Sequence, residues 1–279
     1  MFSKFKRSWM LVKYTVSLLK QEKKLLIFPL LSSIAALLVL VSFVPLMPET
    51  LGAAAESENI SSQDELVWLF CLYVVEYFVV FFFNSALVAT VLDKLNGRPA
   101  SIGNGLRAAA SKFVPILGYA IIAATVGVVL RAASERLGFI GQLLIGLIGA
   151  VWSIACFLAV PVLVSRDVGP VEAIRQSTGL LKRTWGENIT ANAGLGLVFF
   201  GIYLLTLGLM FSIGISGLID SSQSFVGLVV VCTIAFLLIG LVHATLQGIY
   251  SAVLYFFATS CDESNGRPAG LLGEAFAPK

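Results

Sequence analysis

This chain is poor in charge. Its 279 residues carry 19 Lys and Arg against 16 Asp and Glu, together 13%. Soluble domains run closer to a quarter charged. With 58% hydrophobic residues and 20 Phe, the chain cannot keep its apolar surface from water as a soluble domain, which argues against a cytosolic enzyme and a disordered segment. A net charge of +3 is too small to suggest a nucleic-acid partner. Histidine is nearly absent: His243 stands alone, which excludes most multi-histidine metal sites and leaves no Ser-His-Asp set at a water interface. Cys71, Cys156, Cys232 and Cys261 have no CxxC spacing, so neither a disulfide framework nor zinc is indicated. No Walker loop and no dinucleotide-binding glycine motif occurs. The sequence therefore predicts no catalytic residues, no cofactor and no metal, and the expectation is that the protein is not an enzyme.

What is present is long apolar runs. A spanning helix needs about 20 mostly apolar residues, because the hydrocarbon core is roughly 30 Å thick and each residue rises about 1.5 Å. Six stretches qualify: about Leu25–Met47, Leu66–Leu92, Val114–Leu130, Phe139–Val164, Ile189–Ile215 and Phe225–Ser260. In lipid only helices satisfy their own backbone at this length, and the short alternating segments of an outer-membrane barrel are missing. The expected class is all-α: a polytopic membrane protein with six transmembrane helices, forming one transmembrane domain over residues 1–279.

Orientation follows from the few charges. Basic residues cluster in the N-terminal segment (Lys4 to Lys24), after the second span (Lys94, Arg98, Arg107, Lys112), after the fourth (Arg166, Arg175, Lys182, Arg183) and in the tail. That places 17 of the 19 on one side and only Arg131 and Arg136 on the other. The positive-inside rule makes both termini cytoplasmic. The first outer loop, with Glu49, Glu56, Glu58, Asp64 and Glu65 and no basic residue, agrees. The N-terminal basic segment and apolar run are too long for a cleavable signal peptide, so the first span is expected to stay uncleaved.

A short motif recurs. Asn96-Gly97-Arg98-Pro99-Ala100 reappears verbatim as Asn265-Gly266-Arg267-Pro268-Ala269, and Arg166-Asp167-Val168-Gly169-Pro170 is a weaker copy. Each follows an apolar span and is turn chemistry. After Pro99 come Ile102, Leu106, Ala109 and Phe113 at helical spacing, and after Pro170 come Val171, Ile174, Leu181 and Trp185, with basic and polar residues between them. Phe5, Trp9, Val12 and Val16 form the same kind of segment among the N-terminal lysines. The pattern predicts cytoplasmic interfacial amphipathic helices, each followed by a transmembrane hairpin: three hairpins in approximate repeat units 1–100, 101–170 and 171–279.

Arg7-Ser8-Trp9, Phe28-Pro29-Leu30-Leu31-Ser32, Gly169-Pro170-Val171-Glu172-Ala173-Ile174 and Trp185-Gly186-Glu187 resemble an uncharacterised prokaryotic family of six-helix integral membrane proteins, carried as a domain of unknown function. The resemblance covers most of the chain and implies a cell inner membrane setting without an assigned chemistry. The Gly-Pro-Val-Glu-Ala-Ile segment is also similar to one in membrane domains attached to some glycerophosphodiester phosphodiesterases. The catalytic domain of those enzymes has no counterpart here.

Ionisable residues at bilayer depth cost at least about 2.5–3.5 kcal/mol on insertion scales, so they are the candidates for function. Tyr73, Glu76, Tyr77 and Asn84 fall within one arc of the second span. His243, Gln247 and Ser251 follow each other at four-residue spacing in the sixth, beside a small-residue ridge of Gly240, Ala244, Gly248 and Ala252. Aligning the repeat on Ser85 and Ser251 puts Glu76 and His243 at nearly the same depth. A contact between them would be either a proton or solute site or a structural hydrogen bond between spans.

Two functional readings stand. In the first, the protein organises membrane lipids or partner proteins in the bilayer, as a homo-oligomer or with another membrane protein, through its interfacial helices and its glycines at 194, 196, 201, 208, 214 and 217. In the second it is a small-solute or ion transporter or channel with a midplane site near Glu76 and His243.

Overall fold

The computed structural model describes residues 2–47, 63–135, 137–183, 185–215 and 222–263, and no strand occurs among them. The helices in chain order are α1 (Phe2–Gln21), α2 (Ile27–Phe43), α3 (Gln63–Leu95), α4 (Ile102–Ser111), α5 (Phe113–Glu135), α6 (Phe139–Ala155), α7 (Ala159–Ser165), α8 (Pro170–Arg183), α9 (Trp185–Ile215) and α10 (Ser222–Glu263). Short 3-10 turns at Lys23–Leu26 and Val44–Leu46 flank α2. Six stretches are long and apolar enough to cross a membrane: Lys23–Leu46, Leu66–Leu95, Phe113–Glu135, Phe139–Ser165, Leu195–Gly214 and Phe225–Thr259. They match the six apolar runs. At about 1.5 Å per residue the 42 residues of α10 reach roughly 63 Å, well beyond the hydrocarbon thickness.

The fourth span departs from a continuous helix over Phe139–Val164. It breaks at Cys156-Phe157-Leu158 into α6 and α7. Pro161 lies in the first turn of α7; it has no N–H to donate and its ring crowds the Phe157 carbonyl, so the helix cannot run through. The freed backbone is recaptured by α8. Leu158 N–H donates to Ser177 Oγ at 3.0 Å, and Ser177 Oγ donates to the Ala155 carbonyl at 2.7 Å. Both residues are fully buried, so this one hydroxyl closes a gap that lipid could not.

The buried core lies toward one end of the bundle, where the ends of three helices meet. Ala86 to Leu92 of α3, Leu158 to Leu163 around α7, and Ile249 to Tyr255 of α10 supply most of it, and α3, α7 and α10 pack on one another. The span before each lies against it or its first half: α2 on α3, α5 on α6, α9 on α10. The three helices outside the spans pack on the buried ends of spans, α4 on α3, α8 on α7, and α1 on α10 and α9. Each buries one stripe: Leu11, Thr15 and Leu18 in α1, Gly105 and Ala109 in α4, and Ala173, Ser177, Leu180 and Leu181 in α8. A Cβ at Gly105 would run into Thr90 Oγ1 and the Ala86 carbonyl, so glycine sets how closely α4 approaches α3.

The same end gathers charge. Glu22, in the link from α1 to α2, holds Lys94 at the end of α3 at 2.7 Å and Lys24 at 3.2 Å. Lys112, in the link from α4 to α5, holds Asp167 after α7 at 2.9 Å. Lys94 and Lys24 keep the Glu22 carboxyl below its ordinary range, and Lys112 does the same for Asp167. The turn after α3 has the geometry its sequence suggests. Gly97 takes φ +76°, Arg98 N–H donates to the Asp93 carbonyl and Gly97 N–H to that of Lys94, a Schellman ending that Pro99 then makes final. The second copy of this motif, at 265–269, lies outside the described residues, as do Glu49, Glu56, Glu58 and Arg136.

The opposite half is different. Phe139 is 79% exposed, Leu205 69% and Val226 59%, and a Cβ at glycines 196, 201, 208 and 214 would meet nothing within van der Waals reach among the described residues. Close packing does not account for those glycines. At that end Arg131 bridges spans, donating to Glu135 Oε1 at 3.0 Å and to Tyr73 Oη at 3.2 Å. Trp68 Nε1 donates to the Phe43 carbonyl at 3.3 Å.

Candidate functional site: a polar cavity inside the spans

Four elements enclose a cavity of about 250 Å³ between α2, α3, α10 and the break in the fourth span. Its polar wall is Ser32, Asn84, Gln247 and Ser251, and its apolar wall includes Val80, Phe83, Leu87 and Phe157. The close approach behind it is set by glycine: a Cβ at Gly248 would meet Leu87 Cδ2 and come within 2.9 Å of Asn84 Oδ1. That contact rotates α10 so that Gln247 and Ser251 share the cavity with Asn84.

The sequence-derived set is thereby divided. Asn84, Gln247 and Ser251 come together. Ser251 Oγ also donates to the Gly248 carbonyl at 2.8 Å. His243 does not join them; its ring stacks on Phe199 of α9, centroids 4.3 Å apart. No hydrogen bond or ion pair links it to Glu76 among the described residues. Glu76 Oε1 is buried without a hydrogen-bond partner. On α3, Val80, Phe83 and Leu87 lie within about 40° of Glu76 at 100° per residue, so Glu76 continues the cavity stripe one turn farther out. Tyr73 and Tyr77 turn toward α5: both approach Gly127, Tyr77 stacks on Phe81, and Phe81 packs on Tyr119.

A second cavity, of about 420 Å³, opens at the charged end and was not anticipated from the sequence. Asp93, Asn96 and Arg98 line it from α3 and its turn, with Ser165 from α7 and Tyr255 and Thr259 from α10. Arg98 and Asp93 pair at 3.2 Å. Ser165 Oγ lies 2.6 Å from the Pro161 carbonyl oxygen and 2.7 Å from Tyr255 Oη, to which Arg166 Nε donates at 3.3 Å. The recurrent turn motif was the available signal, since it supplies Asn96 and Arg98. No group of three metal-ligating side chains occurs among the described residues.

No curated protein and no solved structure matches the chain. Residues 64–266 do match a family model described as a family of unknown function, and the protein belongs to that family, DUF6159.

Proposed function

We propose that the protein is a non-enzymatic inner-membrane protein that holds lipid molecules within and around its helix bundle. The observation that carries this reading is the contrast between the two halves of the spans. One end is packed around α3, α7 and α10, while the apolar surfaces of α6, α9 and the first half of α10 stay exposed. Scattered apolar exposure is ordinary, but whole faces of spanning helices call for an apolar occupant. The bare glycines of α9 leave shallow grooves that suit acyl chains, and a second copy or a partner helix would use the same surface.

In this reading the chain is three hairpins of one orientation, each preceded by an amphipathic helix on the cytoplasmic side, with both termini cytoplasmic. Two observations support it: the packing of α1, α4 and α8 on the buried ends of spans, and the ion pairs Glu22–Lys94 and Lys112–Asp167, which join the same two places in successive units. The test is native mass spectrometry of protein extracted from its own membranes in mild detergent. Lipid retained through desolvation is expected. A bare monomer, with neither lipid nor partner, overturns the reading.

Transport of a small solute is the second reading. It is favoured by the broken fourth span, since Phe157 at the break lines the polar cavity, a pairing that transporters use. Glu76→Gln chain that assembles normally yet alters no flux of any tested solute in proteoliposomes counts against it.

A further inference from the structure

Asn84 and Gln247 face the same cavity, and neither side chain makes a hydrogen bond within the described protein. Each amide offers two donors and a carbonyl acceptor, and leaving such groups unmatched in an apolar medium costs several kcal/mol by transfer scales. Ser32 and Ser251 add hydroxyls to the same wall. Among the described residues no Lys, Arg, Asp or Glu lines it, so no described charge there would balance a phosphate or an ammonium. The volume of about 250 Å³ equals roughly eight waters at about 30 Å³ each, enough for a three-carbon polyol backbone with its ester carbonyls. The rim is reached from the side: Val80, Ala244 and Gln247 are exposed although each lies within a membrane-spanning stretch. A ligand can therefore enter from the bilayer, its chains lying along the exposed apolar faces.

We infer that this cavity is a binding site for the uncharged hydroxyl-and-ester head of a neutral glycerolipid, held by Asn84 and Gln247 across the α3–α10 contact. The inference rests on the lipid-holding reading and makes it specific: a polar head is recognised inside the spans, and phosphate-bearing lipids are not. Gly248 belongs to the site because its missing Cβ lets α10 carry Gln247 up to Asn84.

The test uses the full chain purified in mild detergent, with dioleoylglycerol as the probe and binding read by native mass spectrometry and by displacement of a fluorescent diacylglycerol. Wild-type protein is expected to bind dioleoylglycerol, with dioleoylphosphatidylglycerol competing poorly. The double variant Asn84→Leu/Gln247→Leu is expected to bind about tenfold more weakly or worse, since two hydrogen-bonding groups are lost. Apolar replacements at this depth favour insertion, and an unchanged gel-filtration profile checks that the variant is folded. Ser33→Ala, whose hydroxyl is engaged with the Pro29 carbonyl at 2.8 Å, is the control and is expected to bind as wild type does. Equal binding by wild type and the double variant, no binding by either, or displacement by free glycerol as effective as by dioleoylglycerol overturns the inference. If native lipids remain bound while dioleoylglycerol is ignored, this site fails and the broader lipid reading survives. If no lipid is held at all, both fail.

Discussion

Ser177 is the residue on which the fourth span depends. Its hydroxyl is the partner of both Leu158 N–H and the Ala155 carbonyl, in a position with no exposure. Ser177→Ala would leave a buried donor and a partly buried acceptor unmatched, at about 1–3 kcal/mol for an orphaned group. Its thermal unfolding in detergent should shift clearly downward, and an unchanged midpoint would mean the break finds another partner. Pro161 breaks a helix by its own chemistry, with no N–H to donate. The serine that repairs the break was not legible in the sequence, because it comes from a different helix and its sequence neighbours mark only a polar amphipathic segment.

Between elements, the structure is tied by charge at equivalent places. Glu22–Lys94 joins the α1–α2 link to the end of α3, and Lys112–Asp167 joins the α4–α5 link to the end of α7, with the signs reversed. The Glu22 side chain is 16% exposed against 37% for Lys94, so this pair is the better shielded partner set. Lys94 and Lys24 lower the folded-state pKa of Glu22. Its contribution is therefore complete above the ordinary carboxylate value of about 4.3 and fades as pH falls through the lower folded value. Glu22→Gln should melt below wild type at neutral pH, with the difference closing in strong acid. Glu22→Lys combined with Lys94→Glu should recover more than either alone. A gap independent of pH would sink the electrostatic account. The sequence placed these charges on one side, but a count of side preference says nothing about which two meet.

For the whole molecule, the charge distribution makes a topological prediction. In a cysteine-free background, Ser111→Cys at the charged end should react with a membrane-impermeant maleimide only after cells are opened. Leu137→Cys at the other end should react in intact cells. The reverse pattern would invert the orientation. That α1, α4 and α8 each pack on the buried end of a span while the far half stays open also bears on stability. Most of the described buried residues lie toward the charged end, and the exposed half relies on what surrounds it.

The sequence by itself determined the class, the six spans and the end at which charge gathers. Each is a local property: an apolar run of sufficient length must be helical in lipid, and Lys and Arg are costly to carry across. It also placed Glu76 and His243 at similar depth, because depth is counted along the chain. Which way a side chain faces around its helix is set by the neighbours it packs against. Gly248 against Leu87 and Asn84 turned α10 so that Gln247 and Ser251 entered the cavity and His243 met Phe199 instead. Tertiary packing therefore decided the membership of the site, because a close approach at one small residue fixes the rotation of a whole helix.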